Sequence, residues 1–314
     1  MSIRLPTPTL LAHIHRRSRF ELSPAMAHLC EVLQARFGDA TAAMVFYGSC
    51  LRDGAGFDGL LDLYVLVDGY RAAHGPGLSA LVNRLLPPNV YYLEEPFEGA
   101  VVRAKVAVVS LEDFRRGCGR WFHPYLWGRF AQPAALVYCR DEVSREQVLE
   151  ALALAVMRLL SETLGCLPHE ISVLEAWQRG LTLSYGCELR AERPARVQGL
   201  VAAYADEYRQ VTPLALAGHP AATVRGATLR VMSTPWQRRW SRLRWGLRRV
   251  QGLGLSLARL AKASFTFWGG VDYLAWKLER HTGEKILVSQ RLRRWPLVFV
   301  WGQLWRLYRR RVVR

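Results

Sequence analysis

Lysine is scarce in this sequence, and paired cysteines and long apolar runs are missing from it. The six cysteines are scattered without a Cys-x-x-Cys pair, which argues against a zinc site or a disulfide framework and indicates reduced thiols. The first thirty residues contain no apolar stretch like that of a secretory signal, so none is expected. The densest apolar segment, residues 295–305, is about half as long as the ~18 residues of a spanning helix, which predicts no transmembrane helix.

Positive charge is unevenly distributed along the chain. Of the 314 residues, 51% are hydrophobic and 22% are charged, a composition that supports a packed core and argues against a disordered chain. The formal net charge is +17, yet residues 221–314 alone hold 21 basic residues against 3 acidic ones. The sequence therefore predicts a nearly neutral body that carries a basic C-terminal region, residues 221–314.

Short apolar runs alternate with helical patterns in the first 140 residues, which predicts an α/β (α+β) fold. Ser23-Pro24 before an apolar-periodic run predicts a capped helix that ends at Phe37-Gly38. Strands are predicted over residues 41–47, 60–67, 89–93 and 101–109. Further helices are predicted over residues 77–86, 143–164, 171–190 and 195–209. We place domain boundaries near residue 141 and at residues 218–220.

A Gly48-Ser49 turn follows the first predicted strand, and Asp62 lies in the next one. The backbone N–H groups of such a small turn can approach phosphate oxygens closely. A carboxylate on the neighbouring strand can hold a divalent metal against the same phosphates. This arrangement resembles that of the polymerase-β-like nucleotidyltransferases. The same residues also fit an ordinary loop between two core strands, with Asp62 as an edge acid.

Lys105 is the only lysine before Lys262, because every other basic residue among the first 220 is arginine. An isolated lysine in such a composition indicates a role for a compact ammonium group that a planar guanidinium does not fill. Lys105 also lies within a predicted apolar strand. The alternative is a lysine at a strand edge that faces solvent.

Six short segments resemble, in order, those of the mitochondrial-type phosphatidate cytidylyltransferases. These peripheral CDP-diacylglycerol synthases are also known as translocator assembly and maintenance proteins. The segments are Tyr47-Gly48-Ser49, Leu61-Asp62-Leu63-Tyr64-Val65, Asn89-Val90-Tyr91-Tyr92, Ala104-Lys105-Val106, Tyr125-Leu126-Trp127-Gly128-Arg129 and Leu183-Ser184-Tyr185-Gly186 with Glu188. The resemblance covers residues 43–210.

The resemblance implies three regions and a set of site residues. A polymerase-β-like nucleotidyltransferase domain would occupy residues 1–140, a helical domain that completes the cleft would occupy 141–220, and membrane-surface helices would occupy 221–314. CTP would be the nucleotide substrate, and Mg²⁺ or Mn²⁺ the cofactor. Asp62 would hold the metal and Lys105 would offset charge in the transition state, both as catalytic residues. Nucleotide contacts are implied for Gly48, Ser49, Tyr92, Arg129 and Glu188.

The sequence departs from the wider superfamily pattern near the first acid. A second acid usually stands two positions on, where this chain has Tyr64; the resembled family likewise lacks an acid at that position. Glu188 stands where the family has aspartate. The strand over residues 101–109 offers no further carboxylate, so Asp53, Asp58 and Asp68 stay open as additional metal ligands.

Eight of the eleven tryptophans lie in the C-terminal region. Apolar residues there recur at steps of three, four and seven with arginines between them, the pattern of a basic amphipathic helix that lies on a bilayer. Membrane contacts are predicted for Trp240, Arg248, Arg249, Trp301, Trp305 and Arg310. Basic residues attract anionic lipid. The same charge would serve nucleic-acid binding, but tryptophan and leucine at helical spacing favour lipid.

The resemblance and the C-terminal pattern together predict a peripheral membrane enzyme of phospholipid synthesis. It would convert phosphatidic acid and CTP into CDP-diacylglycerol, a cardiolipin precursor, and pyrophosphate. The expected location is the cytoplasmic side of a bacterial inner membrane. Two alternatives stay open, namely a nucleotidyltransferase that acts on RNA or another acceptor, and a non-catalytic membrane-associated adaptor.

Overall fold

The computed structural model describes residues 4–53, 59–189 and 194–266, which form a mixed α/β fold. Its helices are α1 (Pro8–Arg17), α2 (Pro24–Phe37), α3 (Ser49–Asp53), α4 (Tyr70–His74), α5 (Leu78–Leu85), α6 (Leu111–Gly119), α7 (Trp127–Phe130), α8 (Glu142–Leu164), α9 (Val173–Tyr185), α10 (Pro194–Ala203), α11 (Ala205–Ala215) and α12 (Pro235–Thr266), with a 3-10 turn at Gly38–Ala40. Its strands are β1 (Thr41–Tyr47), β2 (Leu60–Val67), β3 (Asn89–Phe97), β4 (Ala100–Ser110), β5 (Ala135–Cys139), β6 (Glu170–Ser172), β7 (Ala222–Arg225) and β8 (Thr228–Val231).

The larger sheet has five strands in the order β3-β4-β2-β1-β5. Strands β2 and β4 run parallel, and the other neighbouring pairs run antiparallel. The predicted strands over residues 41–47 and 60–67 are confirmed as β1 and β2. Both are short apolar runs that are buried along most of their length, which is typical of strands in the middle of a covered sheet.

Helices cover both faces of this sheet. Successive residues of a strand point to opposite faces of the sheet. On one face, Val45 and Tyr64 belong to the buried cluster that contains α8 side chains. Met44 and Val65 belong to the cluster that contains α2 side chains. Asp62 lies two residues before Tyr64 in β2, so it lies on the α8 face.

Local capping explains where two of the helices begin. The Ser23 hydroxyl accepts the N–H of Met26 at the start of α2, where Pro24 takes the first helical position as predicted. Before α9, Ser172 and Glu175 form a reciprocal capping box. The prediction of one helix over residues 171–190 is wrong at its start, because Glu170–Ser172 is strand β6 and the capping box begins the helix only afterwards.

The C-terminal region begins with a β-hairpin, which corrects the prediction of membrane-surface helices for its first residues. Strands β7 and β8 pair antiparallel, and β8 also pairs with β6, so the hairpin completes a three-stranded sheet with an earlier part of the chain. The long helix α12 follows. A Cβ atom at Gly252 would overlap the carbonyl oxygen of Cys187, so glycine lets α12 approach the body closely at this point.

One cluster of buried side chains extends through all three predicted regions. It includes Val45 of β1, Leu152 of α8, Leu229 of β8 and Trp245 of α12. The predicted boundary near residue 141 coincides with the N-cap of α8, but the regions on its two sides share this apolar core. Removing any one region would therefore expose apolar surface on the others.

Candidate functional site

Four side chains form a row across four neighbouring strands of the larger sheet. In the sheet register, Tyr47 of β1 pairs with Asp62 of β2, Asp62 pairs with Lys105 of β4, and Lys105 pairs with Tyr92 of β3. Paired residues of neighbouring strands point to the same face, with the strands about 4.8 Å apart. The row therefore brings the predicted carboxylate and the predicted ammonium group together on the α8 face.

The Gly48-Ser49 corner lies directly against Asp62. Gly48 has a φ of +93°, in the region that favours glycine. A Cβ atom at this position would lie 2.9 Å from Oδ2 of Asp62, so a side chain here would crowd the carboxylate. Ser49 follows as the first residue of α3. The structure thus brings together Gly48, Ser49, Asp62 and Lys105, four of the predicted site residues.

Arg129 and Glu188 meet at the same site. The Nη2 of Arg129 lies 3.2 Å from Oε1 of Glu188, and its Nη1 donates a hydrogen bond of 3.0 Å to the Tyr64 hydroxyl. The guanidinium also lies 4.7 Å from the ring centroid of Tyr125 and 5.8 Å from that of Tyr47. The Tyr64 hydroxyl thus anchors the guanidinium of Arg129.

The charged side chains that influence the pKa of Asp62 are all basic. Burial raises the pKa of Asp62, while the charges of Lys105, Arg129 and Arg196 act in the opposite direction. Within residues 4–53, 59–189 and 194–262, neither Asp62 nor Lys105 has a hydrogen-bond or ion-pair partner. A half-buried acid and an amine that lack protein partners, next to two arginines, are suited to a polyanionic ligand that binds metal.

The donor set around Asp62 fits one divalent ion that shares its ligand shell with a bound phosphate ligand. Among the described residues, no three His, Cys, Asp or Glu side chains form a group that could hold a metal. Asp53 is engaged by Arg52 at 2.7 Å, and Asp68 by Arg140 at 2.6 Å. Asp58 lies outside the described residues. Mg²⁺ commonly binds one or two carboxylates together with substrate phosphates, and Asp62 alone meets that minimum.

Tyr92 lies in the row but its hydroxyl has a protein partner. The hydroxyl donates a hydrogen bond of 2.8 Å to Oε1 of Glu94, which also accepts a bond from Nε of Arg103. Burial is the largest cause that raises the pKa of Tyr92, and its bond to Glu94 adds to it. The phenol is therefore neutral, and its hydroxyl is engaged by Glu94.

Tyr125 and Arg259 also lie near the site and are absent from the predicted site residues. The guanidinium of Arg259 in α12 lies 3.8 Å from the ring centroid of Tyr125, and Tyr125 contacts Arg129 on the site. A short chain of cation–π contacts therefore joins α12 to the candidate site. Tyr125 lies in one of the six segments for which a family resemblance is stated above, and that is the only feature of the sequence that points to it as a site residue. No feature of the sequence points to Arg259, because its contact with Tyr125 depends on how α12 packs.

The predicted membrane residues of α12 divide between its two sides. Trp240 is 46% exposed, and Arg249 is exposed as well. Arg248 is fully buried, and its Nη2 lies 2.6 Å from Oε2 of Glu162. The prediction that Arg248 contacts the membrane is therefore wrong, because the charge is neutralised inside the protein. Trp301, Trp305 and Arg310 lie outside the described residues.

An exposed apolar stripe extends along α12. Its members recur at steps of three and four residues and are all roughly half exposed or more. The α12 stripe consists of Trp236, Trp240, Leu243, Leu247, Val250, Leu253, Leu257 and Leu260. No helix within the described ranges combines the length and the hydropathy that a bilayer-spanning segment requires.

Comparisons with known proteins do not assign this chain to a family. No protein-family model matches it, and no curated protein matches it either. The arguments about function therefore rest on the geometry and charge of the site.

Proposed function

We propose that this protein is a membrane-surface cytidylyltransferase that converts phosphatidic acid and CTP into CDP-diacylglycerol and pyrophosphate. The observation that carries the proposal is the contact of the Gly48 corner with Asp62, in sheet register with Lys105. A close backbone turn, one carboxylate and one amine on a shared face supply the groups that a nucleoside triphosphate requires. The polymerase-β-like fold is part of the same proposal.

The proposed reaction is a direct in-line displacement at phosphorus. A phosphate oxygen of phosphatidic acid attacks the α-phosphorus of CTP and forms the new P–O bond. The bond from the α-phosphorus to the oxygen that bridges to the β-phosphate breaks, and pyrophosphate leaves with the electron pair. The attacking phosphate is already an anion, so no general base has to remove a proton.

The protein's own residues contribute positioning and charge. The backbone at Gly48 and the hydroxyl of Ser49 would contact the triphosphate, and Lys105 with Arg129 would offset the negative charge that grows on the departing pyrophosphate. Glu188 orients Arg129 through their ion pair. Asp62 would hold Mg²⁺ together with the triphosphate oxygens, where the ion would neutralise phosphate charge.

The α12 stripe supports a lipid rather than a water-soluble acceptor. Eight apolar side chains line one exposed side of a basic helix, and such a surface binds at a bilayer interface. The cation–π chain from Arg259 through Tyr125 to Arg129 links this helix to the site. A lipid substrate would then reach the enzyme where the enzyme itself lies on the membrane.

The direct test measures product formation on vesicles. The full-length protein is incubated with labelled CTP, magnesium and liposomes that contain phosphatidic acid, and CDP-diacylglycerol is quantified. We expect Asp62→Asn to lower turnover by roughly a hundredfold or more, since it removes the metal-binding charge but keeps the shape beside Gly48. Asp53→Asn is the matched control, because Asp53 is exposed and, within the part of the chain that the structure describes, pairs with the neighbouring Arg52.

The control and the wild type should have equal activity. Wild-type protein that turns over neither CTP nor another nucleoside triphosphate would contradict the proposal, as would full activity in Asp62→Asn. Transfer to RNA but not to lipid would indicate the RNA alternative.

One observation favours a non-catalytic membrane adaptor as a second candidate. The described site offers a single unpaired carboxylate, and the position of a second acid is occupied by Tyr64, which is bonded to Arg129. Many phosphoryl-transfer sites use two carboxylates for their metals. The same assay separates the candidates, since an adaptor would bind anionic liposomes without consuming CTP.

A further inference from the structure

A cavity of about 570 Å³ lies between the C-terminal half of α8 and the first turns of α12. Its polar lining includes Arg158, Glu162 and Arg244, and its apolar lining includes Met157 and Trp240. None of the residues proposed to bind nucleotide contributes to this lining. The cavity is thus separate from the candidate site and has the volume of a typical small-molecule site.

Three arginines surround one carboxylate beside this cavity. Arg158 and Arg244 place their Nη2 atoms 3.0 and 2.9 Å from Oε1 of Glu162, and Arg248 places its Nη2 2.6 Å from Oε2. The Glu162 side chain is only 3% exposed. One carboxylate neutralises one guanidinium, so the cluster keeps an excess of two positive charges. Unbalanced charge away from bulk water is costly unless an anion offsets it.

Protein groups enclose Arg248, although its Nη1 has no hydrogen-bond partner among the described residues. Its Nε donates to the carbonyl of Phe122 at 2.8 Å, and its guanidinium lies 4.7 Å from the ring centroid of Trp245. A carboxylate, a carbonyl and an aromatic face together accommodate the fully buried cation. The other two arginines of the cluster line the cavity and Arg248 does not, so those two can meet a ligand there.

Arg158 also carries an unused donor. Among the described residues, its buried Nε has no hydrogen-bond partner, which is uncommon for a buried polar atom. Burial is the largest cause that lowers the pKa of Arg158, because removal of water disfavours the charged form. Arg244 remains 35% exposed. An anion in the cavity would supply the acceptor and the charge that this pair lacks.

The apolar wall of the cavity continues into the α12 stripe. Trp236 and Trp240 line the cavity and also belong to the stripe, with 65% and 46% of their surfaces exposed. Leu154 and Met157 of α8 lie on the other side. A ligand that bridges the arginines and the tryptophans would need an anionic head and an apolar tail.

We propose that this cavity binds one anionic phospholipid, with the phosphate on Arg158 and Arg244 and the acyl chains against Met157 and Trp240. The lipid is a bound ligand here rather than the substrate of the Asp62 site. It would hold the first turns of α12 at the bilayer surface. This proposal does not depend on the proposed catalytic activity.

The experiment titrates the full-length protein with a short-chain phosphatidylglycerol below its micelle concentration, without nucleotide or magnesium, by isothermal titration calorimetry. Phosphatidylglycerol is chosen because its phosphodiester cannot be the acceptor in the reaction proposed above. Short-chain phosphatidylcholine tests the need for net charge, and glycerol phosphate tests the need for acyl chains. We expect phosphatidylglycerol to bind about tenfold or more tightly than either control.

Charge-neutralising variants then locate the site. Arg158→Gln and Arg244→Gln should each weaken phosphatidylglycerol binding about tenfold, and each leaves Glu162 with two arginine partners. Arg239→Gln is the matched control, because Arg239 is exposed on the same helix and does not line the cavity. Thermal melting checks the fold, and should Arg158→Gln unfold, the more exposed Arg244 carries the test.

Three outcomes would overturn the proposal. Equal affinity for phosphatidylglycerol and phosphatidylcholine would exclude anion recognition. Equal affinity for phosphatidylglycerol and glycerol phosphate would reduce the site to a phosphate site. An equal loss in Arg239→Gln would mean that only the general positive charge of α12 attracts the lipid.

Discussion

At the scale of single residues, the candidate site depends on a close contact between backbone and side chain. Gly48 has a positive φ and leaves no room for a side chain beside Asp62. Among the described residues, the carboxylate lies next to a peptide plane and takes part in no ion pair. Such a contact leaves its oxygens available for a ligand while the strand keeps its position.

Gly48→Ala tests this contact. We expect a loss of roughly 2 kcal/mol or more in the free energy of unfolding, because alanine at this φ is strained and its Cβ would crowd Asp62. Urea denaturation measures the change. Gly246→Ala is the matched control, since nothing lies within 4 Å of a Cβ there and the residue is inside α12. That substitution should stabilise the protein by about 0.5–1 kcal/mol. Equal stability changes in the two variants would contradict the argument.

At the scale of secondary-structure elements, α12 presents two chemically different sides. One side carries the exposed stripe, and the other buries Trp245 and Arg248 against the body. His123 lies at this second contact, where its Nε2 donates to the carbonyl of Cys187 and its Nδ1 accepts the N–H of Tyr125. Gly252 of α12 packs directly against His123. The protonation state of this imidazole therefore affects how well α12 packs against the body.

The packing of α12 against the body should weaken in acid. Burial, with a further contribution from the charges of Arg259 and Arg248, lowers the pKa of His123 from 6.5 to about 4. Between these two values the unfolded chain binds a proton that the folded chain does not, so stability falls as pH falls from 6.5 towards 4. We expect His123 to account for roughly 2–3 kcal/mol of that loss.

The measurement compares urea denaturation of wild type and His123→Gln at about pH 7 and about pH 4.5. Glutamine keeps a donor for the Cys187 carbonyl but does not titrate, so the variant should lose less stability on acidification than wild type. His15→Gln, a histidine substitution in α1, controls for the general effect of losing one imidazole. An identical acid loss in His123→Gln and wild type would show that His123 does not contribute.

At the scale of the whole molecule, the C-terminal region is part of the folded body as far as the structure describes it. Strand β8 pairs with β6, and Trp245 belongs to the cluster that also contains β1 and α8 side chains. A protein shortened to residue 220 would lose these contacts and expose its core. Membrane binding is therefore better tested by changing the surface of α12 than by removing it.

Leu247→Gln combined with Val250→Gln should weaken flotation with anionic liposomes. The two side chains are 52% and 74% exposed, so their loss removes apolar contact with lipid without opening the core. We expect the affinity for vesicles to fall roughly tenfold or more. Val143→Gln is the control, because Val143 is 64% exposed in the first turn of α8, at the end opposite to the α8 residues that line the cavity with α12. Unchanged flotation of the double variant would contradict a membrane role for the stripe.

The sequence predicts the elements that local patterns encode and misses those that depend on distant partners. The apolar runs of β1 and β2 and the cap of α2 are read correctly because each depends on neighbouring residues. Strand β6 is missed because its three residues pair with β8, far along the chain. The burial of Arg248 is not predicted, because Arg248 and Arg249 are adjacent residues of the same type. The ion pair of Arg248 with Glu162, 86 positions away, distinguishes the two.

The sequence by itself was sufficient to predict the nearly neutral body, the basic C-terminal region and the turn at Gly48. It was also sufficient to select Asp62 and Lys105 as candidate site residues. Contacts between distant segments were needed to place those residues in one row and to bury Arg248. The same contacts created the cavity between α8 and α12. Periodicity along a chain reports which residues share a face, whereas strand register and helix packing select the partner that each face meets.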